Sequence, residues 1–409
     1  MRLLHTSDWH LGQTLHGFER RFEHDRFLDW LLTTLEQEEV DALLVAGDIF
    51  DTANPPAACQ RRLFEFLAAT RRKLPALNIV LVAGNHDSAG RLEAPSPILD
   101  AFGITVIGQA KRLDSGTHDL DDLVVPLRHA DGRVGAWCIA VPFMRPGDVP
   151  RVADAEDPYA AGIAALYADA LSHALSRRTP GQAIVAMGHC HLVGGKVSED
   201  SERRILIGGA EALPASLFGP DIAYVALGHL HLAQSVGDPT RRYSGSPLPL
   251  SFAEVGYPHQ VLIVDLDAGA VRDIRELRIP RSVELLRIPE TREPIDTVLT
   301  TLRALTLANL PEAEQPYLEV RVRLDAPEPG LRARIEDALD GKPVRLARID
   351  SRTAAQAAGT GDQAASIDAL ERLDPEDVFV RLYRDRYGEE APASLRTALA
   401  ELLIDEVDP

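Results

Sequence analysis

Asp41-Ala42-Leu43-Leu44-Val45-Ala46-Gly47-Asp48-Ile49-Phe50-Asp51 is the stretch from which the fold is read. A continuous run of Val, Leu and Ala reads as a strand buried on both faces. The glycine that ends it permits a sharp turn, and polar residues follow at once. The same shape recurs in Asn78-Ile79-Val80-Leu81-Val82-Ala83-Gly84-Asn85, in Ala183-Ile184-Val185-Ala186-Met187-Gly188-His189 and in Ile222-Ala223-Tyr224-Val225-Ala226-Leu227-Gly228-His229. A shorter version, Leu3-Leu4-His5-Thr6-Ser7-Asp8, opens the chain.

Helical periodicity separates several of these runs. Residues 22–35 carry Phe22, Phe27, Leu28, Leu31, Leu32 and Leu35 near a 3.6-residue period, and residues 63–74 and 163–175 behave alike. Strands alternating with helices predict a layered α/β sheet sandwich. A further strand, Gln260-Val261-Leu262-Ile263-Val264-Asp265, follows the Pro/Gly-rich residues 244–249, and the first domain is expected to span residues 1–280.

Beyond it the pattern shortens. Strand-like Val283-Glu284-Leu285-Leu286, helical 295–305, strand-like 317–324, helical 331–339 and strand-like 344–349 predict a small α+β domain over residues 281–350. None of its polar residues forms a catalytic-looking group. Residues 351–366 lack large apolar side chains and read as a linker. In residues 367–409, Asp374-Pro375 is a good helix start, Phe379, Leu382 and Tyr383 share a face, and Gly388 is a stop. A second short helix runs from Ser394 through Leu395, Leu399, Leu402 and Leu403. Two such helices cannot bury their own apolar faces well and need something to dock against.

Composition bounds the function. The chain has 409 residues, enough for two or three domains. With 45% hydrophobic and 26% charged residues it has the balance of a globular protein, which excludes wholesale disorder, a collagen-like chain and a membrane bundle. No apolar run approaches the roughly eighteen residues a spanning helix needs. The N-terminus turns polar too early for a signal peptide. Cys59, Cys138 and Cys190 are scattered and contain no CxxC, so neither a disulfide framework nor a zinc knuckle follows, and a cytoplasmic location is expected. The net charge of −19 repels phosphate backbones. Nucleic-acid chemistry on this chain must therefore bring positive charge in locally, from metal ions, small basic patches or a partner. Doublets such as Arg61-Arg62 and Arg241-Arg242 read as solvated faces rather than a continuous groove.

Chemistry-bearing residues gather where the strands end: Asp8-Trp9-His10, Gly47-Asp48-Ile49-Phe50-Asp51, Gly84-Asn85-His86-Asp87, Gly188-His189 and Gly228-His229-Leu230-His231. Open α/β sheets place ligand sites at these carboxyl ends. Taken singly, such residues are more often turns, caps or surface histidines. Five groups in succession are a different matter. Asp, Asn and His without a thiolate suit Mn, Fe or Zn better than Ca, and neighbouring sites can share one carboxylate between two ions.

DxH, GDxxD, GNHD, GH and GHxH in this order resemble the signature of calcineurin-like metallophosphoesterases, which bind two metal ions at the top of a β-sandwich. Thr6-Ser7-Asp8-Trp9-His10-Leu11-Gly12, Gly47-Asp48-Ile49-Phe50-Asp51 and Tyr243-Ser244-Gly245-Ser246-Pro247 narrow the resemblance to the SbcD-like nuclease subunits of bacterial SbcCD complexes. It covers nearly the whole chain. It implies an α/β fold: a metallophosphoesterase β-sandwich flanked by helices, a small α+β capping domain and a C-terminal helical tail that docks a partner.

The resemblance also implies site roles. One metal would sit on Asp8, His10, Asp48 and His231, the other on Asp48, Asn85, His189 and His229, with Asp48 bridging. His191 is the alternative to His189, which is preferred because Gly188-His189 directly ends its strand. His86 resembles the family's catalytic histidine, which contacts the scissile phosphate and stabilises or protonates the leaving oxygen. Asp51 would hold and charge that imidazole, at a position where archaeal and eukaryotic relatives commonly carry histidine. Trp9, His5 and Cys190 read as packing residues, and Asp87 as a turn residue or a support behind the ligands.

The activity so implied is manganese-dependent 3′→5′ exonuclease and endonuclease cleavage of DNA. It would process ends and hairpins with an SbcC-type coiled-coil ATPase, as a homodimer within a heterotetramer and away from membranes. Two other readings remain open. One is a small-molecule or cyclic-nucleotide phosphodiesterase or phosphatase of the same fold, against which the capping segment and tail speak. The other is a catalytically silent scaffold for DNA ends, against which the full set of expected ligands speaks.

Overall fold

The computed structural model describes residues 1–198, 212–326 and 328–353, with 379–380, 383–384, 392 and 395. Two six-stranded sheets face each other. The first runs Ala270–Arg278, Gln260–Asp267, Arg2–Thr6, Ala42–Ala46, Asn78–Val82, Ile104–Ile107 from edge to edge. The second runs Gln234–Val236, Asp238–Tyr243, Tyr224–Gly228, Ala183–His189, Val134–Ala140, Val124–Arg128.

The apolar runs are continuous because both faces of each central strand are covered. Leu3, Leu44, Ala46, Val80 and Val82 point into the core shared with Val185, Tyr224 and Ala226 of the second sheet. Their neighbours Leu4, Leu43, Val45, Ile79 and Leu81 pack on the other side. There they meet Phe27, Leu31 and Leu35 of the Arg21–Gln37 helix and Leu63, Phe66 and Leu67 of the Ala57–Lys73 helix. The Pro158–Arg177 helix covers the second sheet with Ile163, Leu166, Tyr167, Ala170 and Ala174.

Arg2–Thr6, Ala42–Ala46 and Asn78–Val82 are parallel, so their exit loops leave from one end of the sheet. Ala183–His189 and Tyr224–Gly228 are likewise parallel, with Gly228 opposite His189. The two sheets meet at this end. A Cβ on Gly228 would lie 1.9 Å from the carbonyl oxygen of Ala46, so only glycine lets the strand tops approach this closely.

The flanking strands carry no readable signal in the sequence. Ala270–Arg278 lies at a sheet edge and is studded with charged residues, and Val124–Arg128, at the edge of the other sheet, contains Pro126. Edge strands tolerate both.

A third sheet, Leu285–Pro294, Tyr317–Leu324 and Arg345–Thr353, has its own core. Val298, Leu299 and Leu302 of the Ile295–Ala304 helix and Ile335 of the Leu331–Ala338 helix pack on Leu318, Val320 and Val322. It joins the sandwich through a small apolar cluster, Leu15, Phe252, Val283, Leu285 and Tyr317. One boundary is corrected. Residues 351–353, expected to begin the linker, extend this sheet instead, with Ser351, Arg352 and Thr353 opposite Val322, Arg323 and Leu324. A neighbouring strand offers its main-chain groups whatever the incoming side chains are, so polar residues can pair there. Residues 354–366 of the expected linker, and the expected tail helices apart from a few residues, lie outside the described residues. Of that tail, the rings of Phe379 and Tyr383 are 5.9 Å apart.

Candidate metal centre

All the expected ligands come together at the strand tops, and the backbone does unusual things to place them. Asp8, His10, Asp48 and His229 have φ of 54°, 45°, 49° and 100°, in the left-handed region that non-glycine residues seldom enter. Main-chain bonds hold the first two exit loops in register: Asp8 N donates to Gly47 O, His10 N to Asp48 O and Leu11 N to Ile49 O.

Asp48 is the centre. Its Oδ1 accepts the main-chain N–H of His86 at 2.8 Å. Its Oδ2 lies 3.3 Å from His189 Nε2 and 3.6 Å from His10 Nε2. Asn85 Oδ1 is 2.9 Å from His189 Nε2 and 3.1 Å from His229 Nδ1. Single donor atoms of Asp8, His10 and His231, of His10, Asp48 and His86, and of Asp8, Asp48 and His189 each cluster within 4.8 Å. Asp8 Oδ1 also accepts His229 N at 2.9 Å, and its Oδ2 accepts Ser7 Oγ at 2.5 Å. Ser7 Oγ in turn lies 2.8 Å from Ser244 Oγ.

The far side of each ring decides which nitrogen is offered. His10 Nδ1 donates to Asp51 Oδ1 (3.1 Å), His189 Nδ1 to Ala46 O (2.9 Å) and His231 Nδ1 to Glu254 Oε1 (2.8 Å). A nitrogen facing a carboxylate or carbonyl carries the proton, so each Nδ1 is committed and Nε2 is the nitrogen that would meet a cation; at His189 that requires loss of the proton facing Asp48. His10 Nε2 is buried without a hydrogen-bond partner. A buried polar atom left in this state fits a site built to hold a cation.

The charges agree. Burial pushes the Asp48 carboxyl up, but His189, His10 and His86 outweigh it and hold it well below the usual carboxylate range. Burial works against charge on His189 too, yet the facing Asp48 lifts it to about 9. His229, buried and beside His189, is held far down and stays neutral.

The structure divides the role expected of Asp51. The Asp51 carboxylate holds His10, while His86 Nδ1 donates to the Asp51 main-chain carbonyl at 2.7 Å. The expected contact of Asp51 with His86 is thus made at least through the main-chain carbonyl. His191, the alternative ligand, has its Nε2 3.4 Å from Gly195 O, and its ring lies 6.3 Å from that of His229. Trp9 is core, edge-on to Phe27 and Phe66. His5 is buried between the Tyr224 hydroxyl and Leu227 O.

Asp87 is buried and accepts the N–H groups of Ile49, Phe50 and Gly84, tying two ligand loops together. Burial, then the Asp48 charge, raises its pKa to about 6. Sequence reasoning misses Glu254, Ser7 and Ser244 as supports. Ser7 and Ser244 sit in the words that carry the resemblance, whereas nothing near Glu254 signals that it faces His231.

Comparison with known proteins finds clear relatives of this chain. Residues 1–233 match the calcineurin-like phosphoesterase family. Residues 281–387 match the family described as type 5 capsule protein repressor C-terminal domain. The SbcD subunit of the nuclease SbcCD from Rhodobacter capsulatus is 41% identical over 391 residues, covering 94% of each chain. The corresponding protein from Escherichia coli K12 is 37% identical over 68% of each chain. The one from Bacillus subtilis is 38% identical over 70% of this chain and 72% of that one.

Proposed function

The chain belongs to the SbcD family of calcineurin-like phosphoesterases, and on that premise we propose that it is a metal-dependent nuclease that hydrolyses DNA phosphodiesters. The observation that carries the reading is the convergence of His10 and His189 on a single oxygen, Asp48 Oδ2, from loops on different sheets.

The residues present fit a pair of divalent cations. Asp8, His10, Asp48 and His231 would hold one, and Asp48, Asn85, His189 and His229 the other. Such a pair, when bound, polarises a phosphodiester and lowers the pKa of water. On an acidic chain it also supplies the local positive charge that phosphate requires. The protein's own share is positioning. Asp51, Ala46 and Glu254 fix the rings of His10, His189 and His231. With Nδ1 of His86 committed to the Asp51 carbonyl, Nε2 is the nitrogen left to meet a leaving sugar oxygen. It donates there only as the imidazolium.

The finer reading is manganese as the working cation, 3′→5′ exonuclease together with endonuclease action on ends and hairpins, and a cytoplasmic setting. We also assign an SbcC-type ATPase partner contacted by residues 367–409, a homodimer within a heterotetramer, and a DNA-guiding role for residues 281–350. Family membership supports each of these. Among the described residues, no helix is long and apolar enough to cross a membrane.

The test strips the purified chain with a chelator, then restores manganese, magnesium and zinc separately, offering labelled single-stranded DNA and a small nitrophenyl diester. Manganese is expected to restore DNA cleavage. Cleavage of the diester alone would replace the nuclease reading with a small-molecule phosphodiesterase.

A further inference from the structure

Glu254 is fully buried, and its two oxygens are divided between two tasks. Oε1 accepts from His231 Nδ1 at 2.8 Å, and Oε2 accepts from Leu250 N at 2.7 Å. It sits at the end of the Phe252–Glu254 turn, whose start is capped by Ser251 Oγ on Ala253 N. That turn is gripped from outside the sandwich. Arg287, on the first strand of the third sheet, donates to Phe252 O, and Arg281 donates to Val255 O at 2.7 Å. Arg287 is itself held by the buried Glu319 of the adjacent strand, with Nε 3.2 Å from Oε2. Phe252 is buried in the cluster that joins the two parts of the chain.

A continuous line of polar contacts therefore runs from Glu319 through Arg287 and the turn to Glu254 and His231. We propose that Glu254 is a positioning residue for His231, and that the third-sheet module holds it there through Arg287. Cation affinity at one side of the centre then depends on a contact made by the other part of the chain. The carboxylate fixes the His231 tautomer and ring plane, which is what a ligand imidazole needs from its far side. This rests on the reading of the site as a cation centre.

The test measures manganese binding to the metal-stripped, full-length chain by calorimetry, with the bound ions counted by electron paramagnetic resonance. Glu254→Ala is expected to weaken one of two binding events by about 10–100-fold and leave the other unchanged. Glu254→Gln, which keeps an oxygen acceptor for His231, should weaken it less, and Arg287→Ala should weaken the same event by a smaller factor. If Glu254→Ala does not fold, Glu254→Gln and Arg287→Ala decide. Two events of unaltered affinity in the Glu254 variants would overturn the positioning role while leaving the nuclease reading intact. Unaltered affinity in Arg287→Ala alone would overturn the link to the third sheet. An unsubstituted chain that binds no manganese would overturn the cation-centre reading and this inference with it.

Discussion

His86 Nδ1 lies 2.7 Å from the main-chain carbonyl oxygen of Asp51, so the ring is anchored by a group that no side-chain substitution at Asp51 removes. The Asp51 carboxylate, by contrast, serves His10. Two groups of one residue thus hold two different rings.

The division is testable. His86→Ala should lower turnover by about 10²–10⁴-fold while cation binding is retained. Asp51→Ala should do the reverse, weakening cation affinity by about 10–100-fold with turnover at saturating cation little changed. Paired calorimetry and kinetics separate the two. Loss of turnover in Asp51→Ala that no cation concentration restores would assign the carboxylate to catalysis after all.

Gly84 is a second pressure point. A Cβ there would lie 2.2 Å from Asp48 Oδ1 and 2.3 Å from Asp48 N, so the bridging carboxylate must move. Gly84→Ala is expected to abolish cleavage and weaken cation binding. Gly90→Ala, in the Ala89–Glu93 helix where nothing lies within 4 Å, should leave both unchanged and shift stability by less than about 1 kcal/mol. Wild-type cation affinity in Gly84→Ala would show that the loops have slack that the structure denies them.

One polar contact across the join between the two parts of the chain ends on a buried ion pair. Arg20 donates through Nε to Glu23 Oε2 at 2.9 Å, through Nη1 to Pro249 O, and Tyr317 Oη donates to Glu23 Oε2 at 3.0 Å. Glu23→Ala strands the Arg20 charge in the interior and should destabilise the fold by about 3–5 kcal/mol. Tyr317→Phe removes one hydrogen bond and should cost about 1–2 kcal/mol. Urea unfolding of both variants checks the ranking, and equal losses would place the importance in the tyrosine contact rather than the charge pair.

Acid sensitivity follows from two buried histidines. Burial holds both His5 and His24 down to about 3, Arg20 adding to the effect at His24. Each is neutral in the fold but takes up a proton on unfolding below its usual value of about 6.5. Their contribution to stability is complete above pH 6.5 or so and is lost as pH falls toward 3, by at most about 1.4 kcal/mol per pH unit for each residue. His189 and Asp87, raised to about 9 and about 6, act in the opposite sense, so the test is a difference between chains. Between pH 6.5 and 5 the urea midpoint should fall less steeply, or rise more steeply, in His24→Gln than in the unsubstituted chain, and one common slope would contradict the assignment.

Much of this is visible in the order of residues. The buried strands announce themselves because two-sided burial demands an unbroken apolar run, as in Leu43-Leu44-Val45-Ala46. Polar residues follow such runs directly, so Asp48, Asn85, His189 and His229 stand out as candidates from position, and their roles as ligands are what the resemblance implies. Supports are another matter. Glu254 faces His231 across an interval of chain with no periodicity linking them, and Asp87 serves Ile49 and Phe50 through main-chain donors that any residue supplies. The edge strand Ala270–Arg278 is silent because much of it meets water and charged residues interrupt any apolar run.

What the amino-acid sequence by itself determined, then, was the inventory: two-sided strands, the glycines that end them, and the Asp, Asn and His placed just beyond. Tertiary structure alone decided which atom each residue offers. Hydrogen-bond partners come from elsewhere in space, so only the folded chain reveals that Asp51 gives its carboxylate to His10 and its carbonyl to His86. The same holds for the left-handed backbone at Asp8, His10 and Asp48, a strained conformation that local preference disfavours and that only the packing of two sheets against each other maintains.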